Sequence, residues 1–133
     1  MNEMSKNKYV KLGVLIDDLE AVTEDIKNLL KIPFSHHESD YWGLYNLAEI
    51  EEKGTIRIVN NFVDEDWQVE DRKDCPLLIE LNRLHEPEKI TKMICENLSY
   101  IVPLHMEEIE PGKFIRKYIF ADGQPKLVDE YFY

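Results

Sequence analysis

The hydrophobic residues of this chain change period in the same order twice, and that constrains the fold more than any single motif. Residues 9–16 are mostly apolar and read as a strand. Leu19, Val22, Ile26, Leu29 and Leu30 then recur at helical spacing, opposite Glu20, Glu24, Asp25 and Lys27. Asp18 is placed to cap that helix, because its carboxylate can accept a hydrogen bond from a free amide of the first turn. Pro33 ends the helix, and strands are expected at 34–38, 41–50 and 55–63, with Gly54 in a turn. From residue 77 the order repeats. A strand at 77–84 precedes a helix at 86–99, with Ile90, Met93, Ile94 and Leu98 on one face and Pro87 in the first turn, where its missing amide costs nothing. Strands at 101–108, 113–121 and 126–133 follow, separated by Pro111-Gly112 and Asp122-Gly123 turns.

The expected fold class is therefore α+β: two βαβββ units with mostly antiparallel curved sheets and two main helices. At 133 residues, with 44% hydrophobic side chains, the chain suits a single domain. Its halves, about 9–63 and 77–133, are joined by an acidic connection at 64–76. Residue identities barely repeat between them.

Charge narrows the function. Asp and Glu number 27 against 16 Lys and Arg, a formal net charge of −11. Such a chain repels phosphate backbones and anionic membranes, and it has no long basic stripe to overcome that, so neither nucleic acid nor membrane is expected as a direct partner. An acidic surface instead speeds capture of a basic protein. Cys75 and Cys95 form no CxxC pair and suit a reducing compartment. With no basic-then-apolar leader and no long apolar run, the expected location is cytoplasmic.

Catalytic signals are sparse. Five glycines include no phosphate loop, no GxSxG elbow occurs, and neither cysteine has a neighbouring His and acid. Asp17-Asp18 and Glu107-Glu108 are consecutive pairs whose side chains diverge, and capping or solvation accounts for them. Among four histidines, His36 and His37 face opposite sides of a strand, His85 sits at a strand end, and His105 lies in another strand. His37 and His105 with Glu38 or Glu107 is the one metal set worth testing. No catalytic residue, metal ligand or cofactor is assigned, and the chain is read as a binding protein rather than an enzyme.

Two resemblances bear on this reading. The segments KLGVLIDDLEAVTEDIKNLLKIPF and FADGQPKLVDEY, within two βαβββ units, resemble the vicinal-oxygen-chelate superfamily of glyoxalase I, extradiol dioxygenases and bleomycin-resistance proteins. That resemblance implies a metalloenzyme or small-molecule-sequestering protein whose His and Glu ligands project into a cup-shaped sheet. The first ligand position aligns with Lys11, which cannot ligate while protonated, and Asp129 or Glu130 would supply a carboxylate. In size, charge and overall character the chain also resembles small acidic bacterial immunity proteins, including those of contact-dependent inhibition systems. This second resemblance implies a cognate basic toxin domain, often a nuclease, as partner.

Acids interleave with aromatics in three places: Asp40 with Tyr41, Trp42 and Tyr45; the connection around Trp67; and Asp129 and Glu130 with Tyr131, Phe132 and Tyr133. Strand alternation assigns Trp42, Tyr45, Tyr118 and Phe120 mainly to the core. The expected partner-binding surface is Asp64, Glu65, Asp66, Trp67, Glu70 and Asp71, with the ring supplying buried area and the carboxylates supplying steering.

Overall fold

The computed structural model describes residues 7–40, 43–50 and 53–132. Tyr41, Trp42 and Tyr133, named above among the aromatics, lie outside that set. The first unit runs β1 (Asn7–Val14), α1 (Leu19–Leu30), β2 (Ser35–Ser39), β3 (Gly43–Ile50) and β4 (Gly54–Asn60). The second runs β7 (Leu77–Asn82), α2 (Pro87–Asn97), β8 (Ile101–Glu110), β9 (Phe114–Ala121) and β10 (Gln124–Phe132). Between them lie a two-stranded hairpin, β5 (Phe62–Val63) with β6 (Asp66–Trp67), and a 3-10 turn at Glu70–Arg72.

The ends of α1 follow from local chemistry. Asp18 Oδ1 accepts from the Ala21 amide at 3.1 Å, and Lys31 closes the helix in a left-handed conformation with its N–H on the Lys27 carbonyl. Thr23 donates to the Leu19 carbonyl at 2.7 Å and accepts from the buried Asn46 amide of β3, so a polar bond crosses the helix–sheet interface. At the other helix, Lys8 of β1 reaches Glu88 of α2 at 2.8 Å.

All eight long strands form one sheet in the order β10-β9-β8-β1-β7-β4-β3-β2, each antiparallel to its neighbours. The two units enter it differently. In the first, α1 carries the chain from β1 past β7, β4 and β3 to the edge strand β2, and the chain then works inward. In the second, α2 crosses only β1 to reach β8, and the chain works outward to the edge strand β10. Each helix thus joins two parallel strands, a connection too long for a hairpin.

Alternation sorts the side chains by face. Val10, Leu12 and Val14 of β1, Ile56 and Ile58 of β4, and Leu77, Ile79 and Leu81 of β7 bury one face against Val22 and Ile26 of α1 and Ile94 of α2. Tyr118 and Phe120 pack against this core as expected, while Tyr45 joins a smaller cluster on the opposite face. Among the described residues, that cluster, Val59, Leu78, Leu104 and Val69 with Tyr45 and Val102, draws none of its members from α1 or α2. The connection at 61–76 covers it instead.

Gly13 of β1 makes room for the covering segment. A Cβ added there would lie 2.5 Å from Cys75 Sγ and 3.2 Å from Leu104 Cδ1, so the glycine admits the fully buried thiol against the strand. Gly13→Ala is therefore expected to destabilise the protein by about 1–3 kcal/mol through overpacking. Combination with Cys75→Ala should cost less than the sum of the single changes, as measured by a urea-denaturation double-mutant cycle.

Candidate functional site

The acidic connection is built around one buried side chain. Asn61, fully buried, donates through Nδ2 to the carbonyls of Cys75 at 2.9 Å and Arg72 at 3.1 Å, with a longer contact to Val69, and accepts the Val69 amide through Oδ1 at 2.8 Å. Its own backbone accepts from Gln68 N–H and donates to the Pro76 carbonyl. These bonds also explain a boundary: the strand expected through residue 63 ends at Asn60, because Asn61 turns inward to hold chain 8 to 14 residues further on.

Out of this clamp rises the β5–β6 hairpin. Its two-residue turn is Asp64-Glu65, at φ 55° and 64°, a left-handed pair that hairpins usually fill with Asn-Gly. Two non-glycine residues here store backbone strain while placing two carboxylates at an exposed tip. Phe62 and Trp67 face each other across the hairpin with ring centroids 5.0 Å apart, and Lys73 Nζ lies 5.9 Å from the Trp67 ring. Trp67 is half-buried, so part of its area is already used within the loop.

Of the expected surface, the acids Asp64, Glu65, Asp66, Glu70 and Asp71 are all exposed, and among the described residues they form no ion pair. The nearby cations are otherwise engaged. Arg72 makes a two-pronged bond to Asp74 at 2.9 and 3.0 Å, which holds the Asp74 carboxyl below its usual range. The loop therefore presents a concentrated negative charge that its own cations leave largely uncompensated.

Beside the loop, on the face away from the helices, charged side chains line up across four strands. Arg57 of β4, Glu80 of β7, Lys11 of β1 and His105 of β8 are successive cross-strand partners. Two residues along, the next row runs Thr55, Asn82, Tyr9, Glu107 and Lys117. Arg57 donates to Glu80 at 2.6 Å, with side-chain exposures of only 23% and 14%. A pair so withdrawn from water is held by mutual attraction, and Lys11, 3.7 Å from Glu80, adds a second cation to it. The first row, with Asn82, Tyr9 and Glu107 of the second, lines a cleft of about 260 Å³.

His105 senses both the cleft and the loop. Burial holds its pKa below the ordinary 6.5 and Lys11 adds to the effect, while Asp71 and Glu107 act in the opposite direction. Arg57 and Glu80 escaped the sequence reading, although a signal was present. Each is a lone charge inside an apolar strand, TIRIVN and LLIELN, and such a residue is rarely buried without a partner.

The residues weighed for metal binding are dispersed. His37 stacks on Tyr45 at 5.3 Å in β2, near the sheet edge opposite β10, whereas His105 lies in β8. His36 is exposed, 3.7 Å from Glu20. Lys11, at the position aligned with a ligand, pairs instead with Glu80, and Glu130 bonds Arg116 at 2.6 Å on the edge hairpin. Among the described residues no group of three or more His, Cys, Asp or Glu could hold a metal ion. Glu107 and Glu108 point to opposite faces, the latter accepting from Tyr118 on the helix side. Burial pushes the Cys95 thiol up to about 11, which leaves it protonated and a poor nucleophile at neutral pH. No helix of the described residues is long and apolar enough to cross a membrane.

In comparisons with known proteins, the sequence matches no family model and no curated sequence.

Two outcomes follow from this geometry. Asn61→Ala should cost at least about 2 kcal/mol by urea denaturation, because it leaves buried backbone groups unpaired, and should speed amide exchange selectively across 62–75. His105 should titrate below 6.5 by NMR, with Lys11→Met moving the value up and Asp71→Asn moving it down. Neutral His105 favours the fold fully above its unfolded value. That advantage is lost as pH falls through the depressed folded value, so His105→Gln should flatten the fall in stability below about pH 6.5.

Proposed function

We propose that this chain is an acidic protein-binding inhibitor of the immunity type, which binds a cognate basic toxin domain and denies it its substrate. The observation that carries this reading is the clamped loop, where Asp64, Glu65, Asp66, Glu70 and Asp71 are exposed together on a backbone fixed through Asn61. Preorganisation matters because an ordered loop loses little entropy on docking. A nuclease toxin carries a cationic groove for phosphate, and carboxylates held at a fixed spacing can occupy it in place of the nucleic acid. Trp67 and Phe62 add an apolar anchor at the base of the hairpin.

The same arrangement accounts for partner choice. The formal charge of −11 attracts any cation at long range, but that attraction is screened within about 10 Å at moderate salt. Specificity then rests on contacts at the loop.

The test is to express the products of the neighbouring reading frames and measure their association with this chain by surface plasmon resonance at several salt concentrations, a basic domain being the one expected to bind. Asp64→Lys, Glu65→Lys and Asp71→Lys together should slow association by about tenfold or more and flatten its salt dependence, with the fold retained by circular dichroism. Unchanged rate and salt dependence in the triple variant would remove the loop from the interface.

A further inference from the structure

The open-face cleft has hydrogen-bonding capacity that the fold does not use. Glu80 is engaged by Arg57 at 2.6 Å, and Lys11 Nζ stands 3.7 Å from Glu80, beyond hydrogen-bond length. Glu107 faces Lys117 at 3.9 Å, likewise too far for a hydrogen bond. His105 makes no hydrogen bond among the described residues. A cation and an imidazole on one row, and a carboxylate on the next, thus line one small cleft with their bonding positions unfilled.

We propose that this cleft binds a small zwitterion with the charge arrangement of a free α-amino acid, its carboxylate toward Lys11 and His105 and its ammonium toward Glu107. Electrostatics select this class. The lining cations Lys11 and Arg57 are matched by the carboxylates Glu80 and Glu107, so a ligand of either single charge leaves one sign of the cleft unanswered. A neutral molecule with both charges answers both.

Size points the same way. Drug-sized ligands occupy pockets of roughly 300–1,000 Å³, and this one, at about 260 Å³, suits something smaller. Residues two apart on a strand stand roughly 7 Å from each other. The ammonium nitrogen and carboxyl carbon of an α-amino acid are about 2.5 Å apart, and a charge-assisted bond of about 2.8 Å at each end lets the molecule bridge that gap.

The experiment is isothermal titration calorimetry of the intact protein with each standard α-amino acid, with acetate and methylammonium as single-charge controls. At least one amino acid should bind with a dissociation constant of about 1 mM or tighter, and each control about tenfold or more weakly. Lys11→Met and Glu107→Gln should each weaken that binding by about tenfold or more, whereas Asp64→Lys on the loop should leave it unchanged. The proposal is overturned if no amino acid binds with a dissociation constant of about 1 mM or tighter, if either control binds as tightly as the zwitterion, or if either cleft variant binds normally. The comparison among ligands uses the unaltered protein, so it does not depend on the variants folding. The loop-binding proposal can fail without touching this result, because its variants lie outside the cleft.

Discussion

Two helices cannot cover both faces of an eight-stranded sheet, and the character of the opposite face follows from that shortage. With α1 and α2 committed to one side, the apolar patch of Val59, Leu78 and Leu104 needs another cover. The chain supplies it with sixteen residues between the two units, held down by one amide, and fits it through a glycine opposite a cysteine. Beyond the reach of that cover, the same face turns ionic. Strand side chains there must tolerate water and satisfy each other at once, which the alternation of Arg57, Glu80 and Lys11 achieves.

Much of the architecture was legible in the sequence because periodicity is a local property. The strand of Val10, Leu12 and Val14 and the helix of Val22 and Ile26 announce themselves within a few residues, as does the Asp18 cap. Long-range interactions left weaker traces. Nothing adjacent to Asn61 says that the strand stops there, since Phe62 and Val63 continue the apolar run and the stopping bonds come from Val69, Arg72 and Cys75. Strand order was equally hidden: similar successions of elements enter the sheet from its edge in one half and from its centre in the other.

The candidate sites differ for the same reason. The acids of the connection stand in one stretch of chain, so their concentration was readable, although the clamp beneath them was not. Lys11 and His105 attracted attention separately, each in the wrong company. Only the pairing of β1 with both β7 and β8, and of β7 with β4, sets them beside Glu80 and Arg57, across as much as 94 residues of chain between Lys11 and His105. Acids also populate the solvent faces of α1 and α2, so negative charge alone does not single out the connection. What distinguishes the loop is fixed geometry rather than sign.

The seat of Cys75 makes the motion of the acidic segment chemically observable. Its sulfur is wedged against Gly13 with no exposed surface, and burial raises its pKa, so a thiol reagent meets it only when the cover lifts from the sheet. Alkylation at that position is a natural clock for how often the binding surface comes undone, and a partner gripping the hairpin would slow it.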